Sequence, residues 1–126
     1  QSQAVDWSLA QPPRIHSACI DVDLVDLLTH AHRTIDHRRS EIVAWLRALL
    51  PELLALQNQD GGFPDVQSGV RRQDGWVRGY EEPQGLSNTF ATWFRWIAIA
   101  LLAEQLWPGR WPWRFRRMVG IGYRMP

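Results

Sequence analysis

Lysine is missing from this chain: all fourteen basic residues are arginine. A GC-rich coding bias accounts for that, and arginine also suits partly buried ion pairs better than lysine. There is one cysteine, Cys19 in SACIDVDL, so no internal disulfide can form. No CxxC or Cys/His ligand spacing is present either, which excludes a structural zinc of the usual kind. Cys19 reads as a small buried side chain, and the lack of a disulfide framework points to an intracellular, cytoplasmic setting. A net charge of only +1 excludes a strong global electrostatic attraction to nucleic acid or anionic membrane. Walker, GxGxxG, GxSxG and HExxH patterns are all absent, leaving nucleotide hydrolysis, dinucleotide redox chemistry, α/β-hydrolase action and zincin proteolysis without support. The longest apolar run, between Arg95 and Glu104, is about eight residues against the ~20 of a spanning helix. No signal segment precedes the first helical pattern and the chain opens on Gln1, so an excised piece of something larger is the expectation.

What the chain does have is apolar residues at 45% and eight tryptophans, more than a 126-residue domain needs for its core. Large aromatic surfaces are therefore buried, bound to something, or both. Pro12-Pro13 sets residues 1–17 as an extended polar lead-in. Leu24, Leu28, Ala31 and Ile35 follow helical spacing and predict a first helix from Val22 to about Asp36. Ser40 is placed to cap a second, with Ile42, Trp45, Leu49, Leu53 and Leu56 on one stripe. Pro51 predicts a kink or break near Ala48–Leu50, and Asp60-Gly61-Gly62 a stop, giving a helical hairpin region over 22–60. Residues 61–86 lack periodicity and read as a long loop. Ser87 or Asn88 caps a third helix through Trp107, apolar on nearly every side and expected to be enclosed. A Trp/Arg-rich tail fills 108–126.

Arg47-Ala48, Leu53-Leu54, Gln57, Gly61 and Phe63 resemble the QW-type repeat of the terpene cyclase and protein prenyltransferase superfamily. In such a unit the glutamine bonds backbone at the end of one helix, the glycines allow a tight reversal, and the aromatic ring packs over the neighbouring hairpin. The stretch GLSNTFATWFRWIAIALLAEQL looks like the start of a toroid inner helix. The resemblance spans roughly 41–107. It implies an all-α fold of antiparallel helical hairpins of the α/α-toroid type, an incomplete toroid or part of a larger one, because one repeat cannot close a ring. The DxDD pattern of class II terpene cyclases is absent: Asp21-Val22-Asp23-Leu24 stops one carboxylate short and Asp26 comes late.

Four groups of residues carry candidate chemistry. Asp23, Asp26, His30 and His37 fall on one predicted helical stripe, where two carboxylates and two imidazoles can hold a divalent metal. Arg33 shares that stripe and favours the plainer reading, a solvated face, so no metal or other cofactor is assigned. In the long loop, Asp74, Tyr80, Glu81 and Glu82 are candidate catalytic groups for acid/base work on a sugar or allylic substrate, with Trp76 beside them. In toroid enzymes such residues gather at the cavity mouth. Trp93, Phe94 and Trp96, with Trp76, are candidate substrate-binding residues, the plainer reading being core. Arg95 lies in an apolar context and calls for a carboxylate partner. Finally, tryptophans alternate with arginines over 107–117. That pattern suits docking on a larger polypeptide or another subunit, or a membrane surface, with nucleic acid less favoured. The functional expectation is part or subunit of an α/α-toroid enzyme using carboxylate chemistry in an aromatic-lined cavity. The alternative is a non-catalytic helical interaction module docking through its tail.

Overall fold

A computed structural model describes residues 2–66 and 85–111, and among these every regular element is helical. The helices are α1 (Ser2–Ala10), α2 (Ala18–Thr34), α3 (Arg39–Leu54) and α4 (Thr89–Leu106). α4 packs on α2 along most of its length and also on α3, while α1 lies against α2 and α3. One apolar cluster runs through all four, including Val5, Val25, Leu28, Ile42, Leu46, Leu49, Leu53 and Leu102.

The lead-in over 1–17 is not extended. Pro12-Pro13 lies beyond the end of α1, where it stops a helix instead of preventing one. α2 begins a turn before Val22, because its start is stabilised from outside its own sequence. The N-cap Ser17 makes no side-chain cap bond, and the Ala18 N–H instead donates to Asp65 Oδ1 at 2.9 Å. The α2 stripe then buries Val22, Val25, Leu28 and Ala31, with Leu24.

α3 starts before Ser40. Its N-cap is Arg38, held at φ 50° and ψ 33°, the left-handed region that L-residues seldom occupy. The Arg38 side chain clamps Glu41, with Nε–Oε1 at 2.9 Å and Nη2–Oε2 at 2.7 Å. Pro51 does not break α3, which continues to Leu54; proline forfeits one amide bond there, and the Ala55 N–H still reaches Pro51 O at 2.9 Å. The helix ends ahead of Asp60-Gly61-Gly62, so those glycines shape the reversal that follows and not the last helical turn.

Asn88 caps α4, its side-chain oxygen accepting from the Ala91 N–H at 2.7 Å. The helix is enclosed over Ala98–Ala103, all buried. Its first half is not: Trp93 is 58% exposed and Trp96 44%. At the far end Gln105 ties α4 to α2, donating from Nε2 to His32 Nδ1 at 2.9 Å and accepting from Arg33 Nε at 3.3 Å. No helix among the described residues is long and apolar enough to cross a membrane.

Leu28 is fully buried in the middle of the α2 stripe. Leu28→Ala is expected to lower the unfolding free energy by about 2–5 kcal/mol, read from the urea midpoint at unchanged slope.

Candidate functional site

Two polar constellations stand out. The first surrounds Arg95, fully buried on α4. Its Nη1 donates to Asp21 Oδ2 of α2, and its Nη2 donates to Asp65 O at 2.6 Å. Asp21 also accepts from the His16 N–H, at 3.1 and 3.2 Å to its two oxygens, and from His16 Nδ1 at 3.2 Å. The carboxylate fixes the His16 tautomer with Nδ1 as the donor. Beside the start of α2, Ser17 Oγ lies 3.2 Å from Cys19 Sγ, and Cys19 is half-buried. The expectation that Arg95 takes a carboxylate partner is met, and the partner is one of the carboxylates from the incomplete DxDD-like stretch. The group joins α2, α4 and the 63–66 segment, holding charges that water does not reach. As it stands this is a clamp.

The second constellation is the Gln57–Phe63 turn and its contact with the start of α4. Gln57 Nε2 donates to Gly61 O at 3.0 Å, a bond made within the turn and not to the end of α3. Gly61 sits at φ 82°, open to glycine at little cost, and its N–H closes the turn on Asn58 O at 2.9 Å. Gly62 is required for space: a Cβ there falls 2.7 Å from both Ser87 Cβ and Ser87 Oγ. Asp60 Oδ1 accepts from the Gly62 N–H at 2.9 Å and the Ser87 hydroxyl at 2.8 Å, which holds its carboxyl below the ordinary value. Asn58 Nδ2 donates to Gly85 O at 3.1 Å and Ser87 Oγ at 2.9 Å. The Phe63 N–H donates to Thr92 Oγ1 at 2.9 Å, and the Asn88 N–H reaches Phe63 O at 3.2 Å. Residues 58–63 and 85–92 are thereby stitched together side by side.

Phe63 is buried beneath this seam, its ring edge-on to Trp96 at 5.6 Å between centroids. Phe90 and Phe94 meet at 4.5 Å, and Trp93 and Phe94 at 4.9 Å. Of the candidate substrate-binding residues, Trp93, Phe94 and Trp96 thus share the first half of α4, with Phe94 half-buried between its neighbours. The spacing of Phe90, Trp93, Phe94 and Ile97 gives α4 a second apolar stripe in addition to the one packed on α2 and α3. Trp76 and the candidate catalytic residues Asp74, Tyr80, Glu81 and Glu82 lie outside the described residues.

The Asp23, Asp26, His30 and His37 stripe does not stay together. α2 ends at Thr34, so His37 leaves the helix and donates from Nε2 to Asp6 Oδ1 at 2.8 Å. Partial burial, reinforced by the Asp26 charge, raises the Asp23 carboxyl. Among the described residues no three acid, histidine or cysteine side chains gather as a metal ligand set. The Asp21–Arg95–Asp65 association was half visible in the sequence. Arg95 signalled its need, but nothing in the sequence tied it to Asp65, 30 residues away.

No family model, curated protein or solved structure matches this chain.

Arg95→Met leaves Asp21 buried without its cation and is expected to cost about 3–5 kcal/mol. Adding Asp21→Asn is expected to recover a substantial part of that loss, and a double-mutant cycle on urea midpoints measures the coupling. For Asp60 the sign follows from its lowered carboxyl. Its contribution is complete above the unfolded value of 3.8 and disappears as pH falls through the lower folded value. Asp60→Asn should therefore reduce stability at neutral pH and flatten the acid limb of the stability profile, as followed by thermal melts across that range.

Proposed function

We propose that this chain is part or a subunit of a larger α/α-toroid enzyme, and that the outer aromatic face of α4 is where the rest of that assembly packs. The observation that carries this reading is the exposure of Trp93 and Trp96, with Phe90, on the helix whose opposite face forms the core, and of Leu86 in the segment before it. These four side chains present on the order of 400 Å² of apolar surface, a size that marks an interaction site more often than idle surface. It is also short of the ~800 Å² per partner typical of a stable two-protein interface. One further helix laid along α4 covers it. Arg95 is the sole charged residue between Gly85 and Ala103, and it is buried, so this stretch of α4 itself presents no exposed charge to a phosphate or an anionic headgroup. The Phe63–Trp96 contact adds support, since a ring that follows the turn and packs on a neighbouring helix is in keeping with the QW-type resemblance.

The reaction class rests on that resemblance and on the loop residues. An isoprenoid or saccharide is bound against Trp76, Trp93, Phe94 and Trp96, and acid/base chemistry falls to Asp74, Tyr80, Glu81 and Glu82. The same exposed rings serve either as the cavity wall or as the packing face. A second reading is favoured by Trp107 and Trp111, both exposed on either side of Arg110: a non-catalytic module docking through its tail on a protein or a membrane surface.

Light scattering separates assembly from isolation. The 14.6 kDa chain is expected to form a larger complex with the polypeptide encoded next to it, weakened at least about tenfold by Trp93→Ala with Trp96→Ala. In the intact assembly, Glu81→Gln with Glu82→Gln is expected to abolish turnover without unfolding it. Unchanged turnover in that folded double variant eliminates the enzyme reading. Binding to vesicles that disappears on removal of 108–126 establishes the second.

A further inference from the structure

α1 differs from the other helices in what holds it. Over Ser2–Ala10 Val5 and Ser8 are buried, Leu9 packs half-buried against the core, and Trp7 stands 63% exposed. The Ser8 hydroxyl turns back onto Ala4 O at 2.9 Å, within α1 itself. A helix this short does not persist in water alone, so α1 is helical only while docked. Its seat is formed by α2 and α3, whose Val22, Val25, Ile42 and Leu46 belong to the same buried cluster as Val5. Just after α1, Trp45 Nε1 of α3 donates to Gln11 O at 2.8 Å.

The remaining attachment is a polar latch. Asp6 Oδ1 accepts from His37 Nε2 at 2.8 Å and from Arg38 Nη1 at 2.9 Å. Arg38 is set in advance for this: its left-handed backbone and two bonds to Glu41 fix the guanidinium, leaving Nη1 toward α1. Asp6 and Glu41 are exposed and Arg38 is half-buried, so salt screens the Arg38 attractions strongly. Nothing in the Arg95 clamp or the 58–63 seam involves α1, so the remaining three helices keep their polar ties when it leaves. Pro12-Pro13 separates α1 from α2 and lets it move as a unit.

We propose that α1 is a releasable strap that fills, in cis, a helix-accepting groove between α2 and α3, with the Asp6 latch setting how often it lifts. Lifting uncovers a seat for a branched apolar residue followed by a carboxylate, the Val5-Asp6 pair that α1 itself presents. The device is independent of the α4 aromatic face and of any reaction the assembly performs.

Native-state hydrogen exchange on the intact chain tests it without relying on a variant that folds. The Asp6–Ala10 amides are expected to exchange at least roughly tenfold faster than those of Leu28, Leu46 and Leu102. Raising salt from about 0.05 to about 0.5 M should speed the α1 amides further by about threefold, and Asp6→Asn at low salt should do the same. The core amides should not respond. Exchange of α1 in step with the core overturns the strap, and so do α1 amides indifferent to both salt and Asp6→Asn.

Discussion

The burial of one guanidinium constrains most of this molecule. Arg95 has no access to water, and removing an arginine from water is tolerable only if carboxylate and carbonyl oxygens replace the lost hydration. Asp21 supplies the first and the Asp65 main chain the second, one from α2 and one from the segment after the Gln57–Phe63 turn. These three parts of the chain must therefore meet, and in one arrangement. Asp65 is used twice, since its side chain also accepts the first amide of α2. The early start of α2, the position of 63–66 and the rotation of α4 about its axis follow from one requirement.

That rotation decides what α4 shows to the outside. With Arg95 turned inward toward α2, the neighbouring Phe94 and Trp96 flank the buried side, and Phe90 and Trp93 face away from it. The aromatic surface is thus a consequence of where the charge is satisfied. Phe63 then props Trp96 from below, and the polar seam of Asn58, Asp60, Ser87 and Thr92 fixes the start of α4 against the turn. The two constellations are successive parts of one support: a charged clamp inside and a hydrogen-bonded seam at the rim, with the aromatic face held between them. A rigid aromatic face loses little entropy when covered, which is what either a packing partner or an apolar substrate requires.

Attachment is uneven across the fold. α2, α3 and α4 share the core and the buried clamp, whereas α1 contributes the buried Val5, the half-buried Leu9 and a latch of largely exposed charges. Local stability follows buried contacts more than helix content, so the elements differ in how readily they open. Opening of α1 leaves the Arg95 clamp and the 58–63 seam in place, since neither involves it.

Helical periodicity in the sequence was enough to place α2, α3 and α4, the core stripes of α2 and α3 and the reversal at Gln57–Phe63, and the residues before α4 narrowed its cap to Ser87 or Asn88. Each depends on residues within a few positions of one another, where spacing translates directly into geometry. Even the need of Arg95 for a carboxylate was written locally, in a lone charge amid apolar residues. What only the tertiary structure decided has longer reach. α1 forms because α2 and α3 receive Val5; α2 starts early because Asp65 reaches back 47 residues to its first amide; and His37 leaves its predicted stripe because α2 ends at Thr34, its ring meeting Asp6 instead. Half of α4 stays uncovered for the same kind of reason. A continuous apolar run specifies burial on average, but which side is buried depends on where the partner charge and the neighbouring helices lie, and those are brought together only by folding.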